Sequence, residues 1–202
     1  NNDVTKVKYL GKQTKLKIPD AIDGKLVTTI DSYAFYKSGI ESLVLPKRLR
    51  KLGNRAFAET TKLKEVTIPK TLEEVDDYYH RNGPFEGSGL TDVYFEEGTK
   101  KIPNSLFKGC EQLKNIHWGE SIEEIGDYAF ENTGVEELIV PDNITKIGGY
   151  AFYECNKLGK LKVSSKLKSM GNRAFAKTTK LKEVTIPKTL EEVDDYYHRN
   201  GP

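Results

Sequence analysis

Three histidines and two cysteines are the side chains of this sequence best suited to catalysis or metal binding. A catalytic histidine needs a nucleophile and an orienting acid within hydrogen-bond reach. Nothing in the sequence brings such a group to His117 in particular, and His80 and His198 are the same position in two copies of one segment. Cys110 and Cys155 have no clustered His or acidic ligands around them, so they do not make a zinc site. No nucleophile elbow, phosphate-binding glycine loop or isolated pair of carboxylates is found, and the many Glu and Lys are scattered as on a solvated surface. Asn143-Ile144-Thr145 is a formal glycosylation sequon that reads more simply as turn chemistry. The expectation is a chain that is not an enzyme, with no catalytic residue, cofactor or metal.

Composition narrows the partners. Charged residues make up 31% of the 202 residues, but 32 Lys and Arg nearly cancel 30 Asp and Glu, and the net +2 sets up no strong field for nucleic acid or anionic lipid. No run approaches the roughly 18 apolar residues that span a bilayer. The sequence opens on Asn1-Asn2-Asp3 without an apolar leader, so a soluble segment with its export signal removed is expected.

The elements that must position any site come from a repeat. Phe35, Phe57, Phe85, Phe107, Phe130, Phe152 and Phe175 are separated by 22, 28, 22, 23, 22 and 23 residues. Five positions before most of them stands Ile30, Leu52, Ile102, Ile125, Ile147 or Met170, often followed by Gly. After each Phe comes a short alternating segment, from Leu43-Val44-Leu45 and Val66-Thr67-Ile68 through Ile116-His117-Trp118 to Val184-Thr185-Ile186. Period-two alternation with β-branched and aromatic residues predicts short strands with one face inward. Pro46, Pro69, Pro141 and Pro187 end several of them, because proline cannot donate to a ladder. Strands this short bury their apolar face only by stacking into a parallel sheet along a solenoid.

Ile147-Gly148-Gly149-Tyr150-Ala151-Phe152-Tyr153-Glu154-Cys155-Asn156-Lys157-Leu158, with Ile125-Gly126-Asp127-Tyr128-Ala129-Phe130, resembles the BspA-like leucine-rich-repeat family over essentially the whole chain. The fold expected is a leucine-rich-repeat solenoid, with short parallel strands on the concave face and turns, short strands or helical turns on the convex side. Residues 1–202 read as a single domain: a cap-like first repeat to about residue 30, about seven repeats of 22–23 residues, and a shortened last repeat over 187–202. The third repeat carries an insertion at 76–84, read as a loop. Gly53 to Pro84 recurs as Gly171 to Pro202 at an offset of 118, with Lys177 in place of Glu59. The second copy stops before its next Phe, so the array is expected to continue, and an uncapped end would favour self-association there.

The same column places the cysteines. Three residues after each Phe stand Ser38, Thr60, Ser88, Cys110, Thr133, Cys155 and Thr178, so Cys replaces small hydroxyl residues. Two repeats at about 4.8 Å each put the cysteines about 10 Å apart, beyond disulfide reach. Free, buried thiols are predicted, and Trp118 is assigned to the core by alternation.

The outward column reads Val44, Thr67, Tyr94, His117, Ile139, Lys162 and Thr185. Tyr94, His117 and Ile139 form a ladder that the core does not require, flanked by Thr67 and Lys162, and such exposed clusters mark interaction sites. The plainer alternative is cross-strand stabilisation. A second candidate is the inserted loop, where Tyr78, Tyr79, His80 and Arg81 crowd together; against it stands a role as a cover for the solenoid. The resemblance implies a cell-surface or secreted protein of a bacterium or parasitic protist that adheres to host extracellular proteins or to other cells. A structural spacer presenting another domain is the alternative.

Overall fold

The computed structural model describes residues 11–76, 82–182 and 184–193, and among them there is no helix. The chain is a parallel β-solenoid. It opens with β1 (Lys15–Lys17) and a small hairpin, β2 (Ala21–Ile22) and β3 (Lys25–Leu26). Asp23 and Gly24 turn that hairpin with φ of 50° and 75°, the positive values a two-residue loop demands. From there each coil contributes a strand to two rows. The longer strands are β5 (Ser42–Val44), β7 (Glu65–Ile68), β9 (Asp92–Phe95), β11 (Asn115–His117), β13 (Glu137–Ile139) and β15 (Lys160–Lys162). The second row has two-residue strands: β4 (Thr29–Ile30), β6 (Lys51–Leu52), β8 (Glu74–Val75), β10 (Lys101–Ile102), β12 (Glu124–Ile125), β14 (Lys146–Ile147), β16 (Ser169–Met170) and β17 (Glu192–Val193).

Neither row is one continuous sheet, contrary to the expectation. The longer strands form three parallel groups, β1-β5, β7-β9-β11 and β13-β15. The shorter ones form two, β4-β6-β8 and β10-β12-β14-β16-β17, divided where the insertion after Val75 lengthens the coil. Val184-Thr185-Ile186 forms no strand, and Val184 and Ile186 are 39% and 49% exposed, so burial does not hold them extended.

A third ladder continues where the strand rows lapse. In most coils the residues two before, at, and two after the Phe donate to carbonyls of the next coil: Tyr33, Phe35 and Lys37 to Asn54, Ala56 and Ala58, and Tyr150, Phe152 and Glu154 to Asn172, Ala174 and Ala176. The outer two positions turn left-handed, as in Tyr33, Lys37, Arg55, Glu59, Tyr128, Asn132, Tyr150 and Glu154 with φ between 50° and 59°. Inside this ladder the seven phenylalanines stack ring on ring, with centroids 4.8 to 5.8 Å apart. Six of them are fully or almost fully buried. Each such ring is worth about 1.5–3 kcal/mol of burial, and the stack is unbroken from Phe35 to Phe175.

Glycine stands where coils touch backbone to backbone. A Cβ on Gly171 would lie 2.2 Å from the Gly149 nitrogen, which explains the apolar-Gly pair of Leu52-Gly53, Ile125-Gly126, Ile147-Gly148 and Met170-Gly171. Two of the coils with one residue fewer before the longer strand use Gly for the same reason: a Cβ on Gly89 would lie 2.0 Å from the Thr61 oxygen, and one on Gly134 2.3 Å from the Glu111 oxygen.

Both cysteines are free and buried, as their column predicts. Cys110 Sγ donates to the Phe85 carbonyl at 3.3 Å and Cys155 Sγ to the Phe130 carbonyl at 3.2 Å. In the same column the Thr60 hydroxyl donates to the Phe57 carbonyl at 2.7 Å. Burial pushes the Cys155 thiol up to about 11 and raises that of Cys110 still further.

Candidate functional site

The outward column of the longer strands is brought together only in part. Parallel register sets Thr67 beside Tyr94 and Tyr94 beside His117. The Tyr94 and His117 rings stack face to face, centroids 4.2 Å apart and 3° from parallel. His117 has a side chain 46% exposed, Tyr94 is half-buried and Thr67 exposed.

An acid does reach His117, which the sequence reading did not foresee. Asp92 Oδ1 lies 3.0 Å from His117 Nε2, diagonally across the β9-β11 pair. The same oxygen accepts from Asn115 Nδ2 at 2.9 Å, and Oδ2 accepts from the Thr91 hydroxyl at 2.8 Å. The hydrogen bond from His117 holds the Asp92 carboxyl below the usual carboxylate range, with burial opposing it and Thr91 and Asn115 adding to it. The Thr91 hydroxyl is turned to the carboxylate rather than to the imidazole, so the cluster orients His117 without arming a nucleophile. Among the described residues no group of three His, Cys, Asp or Glu is placed to hold a metal ion.

Ile139 does not continue the ladder. It is 55% exposed and belongs to the β13-β15 sheet, where Lys162 is its neighbour. No Cα of β11 comes within 8 Å of one of β13, whereas paired strands lie about 4.8 Å apart. Between them opens a slot of about 380 Å³, lined by Lys114 to Trp118 on one side and Glu137 to Ile139 on the other. The slot closes at both ends. Gly134 sits against the Glu111 and Leu113 carbonyls, and Asn143 Nδ2 donates to the Gly119 and Ile122 carbonyls at 3.3 and 2.6 Å. The sequon asparagine is thus committed to joining two turns.

Trp118 accounts for the opening. It takes the inward position that Leu45, Ile68, Phe95, Val140 and Val163 occupy elsewhere, and the indole is the largest side chain in that column. It is half-buried rather than a core residue, edge-on to Phe130 of the next coil with centroids 5.9 Å apart. Ile116 beside it is half-buried, while Val93 at the same position of β9 is fully buried. A tryptophan in a column that otherwise holds Leu, Ile, Val and Phe was the available signal for this slot.

Tyr78, Tyr79, His80 and Arg81, the second candidate group, lie outside the described residues, as do Tyr196, Tyr197, His198 and Arg199. The end of the insertion is tied down: Arg55 Nη2 donates to Asn82 Oδ1 at 2.8 Å, and the Pro84 carbonyl accepts from the Phe57 N–H at 2.7 Å. A row of half-buried aromatics was missed altogether. Tyr128 and Tyr150 stack at 4.9 Å along the third ladder, with Lys108 over Tyr128 at 5.0 Å and Arg173 over Tyr150 at 5.9 Å.

Solved structures share the fold. A crystal structure of a leucine-rich-repeat protein of T. pallidum has a TM-score of 0.58 at 23% identity, over 92% of this chain and 76% of that one. A leucine-rich-repeat protein from Eubacterium ventriosum has a TM-score of 0.50 at 21% identity, over 90% of this chain and 41% of that one. The chain therefore spans about two-fifths of the second protein. No curated protein matches the sequence. The family model of the BspA type leucine rich repeat region matches in six copies over residues 28–83 and 81–201, and the chain belongs to that family.

Proposed function

We propose that this chain is a non-enzymatic protein-interaction module of a microbial cell-surface or secreted protein, working in adhesion to host extracellular or cell-surface proteins. The observation that supports the reading is the group of half-buried Tyr94 and exposed His117 and Ile139 beside and along the slot. Aromatic and apolar side chains on a rigid sheet lose little freedom on binding and are enriched at energetic centres of interfaces. The Asp92 hydrogen bond fixes the His117 ring in advance. Membership of a repeat family typical of bacterial surface proteins supports the location.

Surface plasmon resonance against immobilised fibronectin, fibrinogen and whole host-cell membranes tests it. The Tyr94→Ala, His117→Ala, Ile139→Ala triple variant loses at least tenfold in affinity while keeping its unfolding curve. Binding unchanged by the three alanines, or no binding by the parent chain, refutes the reading. A second reading, a spacer presenting another domain, draws support from the unbroken Phe stack and third ladder, which stiffen the solenoid along its axis. A spacer is indifferent to the three alanines.

A further inference from the structure

The two walls of the slot are strand edges. Among the described residues, β11 pairs only with β9, and β13 only with β15. The edge of β11 turned from β9 and the edge of β13 turned from β15 therefore face one another with no ladder between them. Unpaired strand edges are templates for a further strand. One inserted strand needs about 4.8 Å on each side, about 9.6 Å between walls, and the walls stand more than 8 Å apart. The slot is also bounded at both ends, by Gly134 and by Asn143, which limits it to a few residues of extended chain. Its inward side offers Trp118 and Ile116, half-buried apolar groups that nothing covers fully. Lys114 on its rim and Lys162, one strand beyond it beside Ile139, are exposed and make no ion pair among the described residues, whereas Glu137 is engaged by Lys160 at 3.5 Å.

We propose that the slot between β11 and β13 takes an extended segment of a partner protein as an added strand, with an apolar residue directed at Trp118 and Ile116 and acidic residues toward Lys114 and Lys162. The proposal rests on the interaction reading above and specifies its mode. The main-chain edges supply affinity, the indole face selects an apolar side chain, and the two lysines select acidic flanks. The segment completes the longer-strand row across the gap, joining the β7-β9-β11 and β13-β15 sheets.

The probe is a synthetic library of capped pentapeptides with Asp and Glu at the ends and each apolar residue in turn at the centre, titrated against the intact chain. Trp118 is the single tryptophan, so its fluorescence reports the slot directly. At least one peptide is expected to bind with a dissociation constant below 1 mM and to shift the Trp118 emission. N-methylation of alternate amides of that peptide is expected to weaken it at least tenfold, as is replacement of its acidic ends by lysine. Amide hydrogen exchange in 114–118 and 137–139 is expected to slow on binding. Trp118→Val, followed by anisotropy of a labelled peptide, is expected to close the slot and abolish binding while the chain stays folded. No binder below 1 mM, equal binding by the N-methylated peptide, or full binding by Trp118→Val overturns the proposal. If matrix proteins still bind and the three-alanine variant still fails, the interaction reading stands without strand insertion.

Discussion

Gly89→Ala tests how tightly the coils are stacked. The backbone at Gly89 has no positive φ, so alanine suffers no conformational penalty there and the effect is purely one of space. A Cβ would sit 2.0 Å from the Thr61 oxygen and 3.1 Å from the Leu63 oxygen. Ordinary carbon–oxygen contact needs about 3.4 Å, so the coils must part by more than an ångström, a large fraction of the roughly 4.8 Å between neighbouring strands. Overpacking of this kind costs about 1–3 kcal/mol. Parting also strains the Gly89 N–H to Thr60 carbonyl bond of 3.1 Å, worth about 1 kcal/mol. The expected loss is about 2–4 kcal/mol, read from urea denaturation followed by circular dichroism. Gly134→Ala meets the Glu111 oxygen at 2.3 Å and should behave alike. Gly159→Ala is the control, because its Cβ would meet only the Glu136 oxygen at 4.0 Å. Equal midpoints for Gly89→Ala and Gly159→Ala would refute the reasoning.

Three further outcomes follow from the geometry. Cys110 and Cys155 should resist a thiol reagent until the chain unfolds, and Cys155→Thr should cost less than about 1 kcal/mol because Thr60 shows how a hydroxyl is accommodated in that column; rapid labelling of the native chain would contradict this. Because the folded pKa of Asp92 is depressed, its contribution is present above the unfolded value near 4 and is lost as pH falls through the folded value. The stability gap between the parent chain and Asp92→Asn, measured by denaturant titration, should therefore be open at pH 5 and close toward pH 2, and a gap constant with pH refutes the pairing. Lys37→Gly removes a left-handed lysine costing about 1–2 kcal/mol and adds the backbone freedom of glycine, about 0.5–1 kcal/mol. A net gain of about 0.5 kcal/mol is expected, seen as a melting temperature 1–2 °C higher by calorimetry, roughly what that energy gives for this size; a lower melting temperature contradicts it.

The solenoid was legible because its period is written in large apolar side chains. Phenylalanine every 22 or 23 residues can be satisfied by stacking, and the structure stacks it. The cysteine column was legible for the same reason: residues sharing a position share an environment. The third ladder was not, because most of its left-handed positions are filled by Tyr, Arg, Lys, Glu and Ser, and only Gly87, Gly109 and Asn132 carry the usual composition signal. The site was half legible. Alternation placed Tyr94 and His117 side by side, but it treats all inward residues as equal and so set Ile139 next to them. Whether two strands pair depends on the side chains beneath them, and Trp118, half-buried, is the largest residue in its column. The Asp92 contact came from a diagonal neighbour, 25 residues away in sequence, which a column-by-column reading passes over.

The claim that partners bind on the face around the slot is tested most directly by site-specific photocrosslinking. A photoreactive side chain is placed at His117, at Ile139 or at Lys51 on the two-residue strand row, and each chain is exposed to the immobilised matrix protein it binds. Crosslinks are expected from positions 117 and 139 and none from 51. Crosslinks from position 51 alone, or equally from all three, would contradict it.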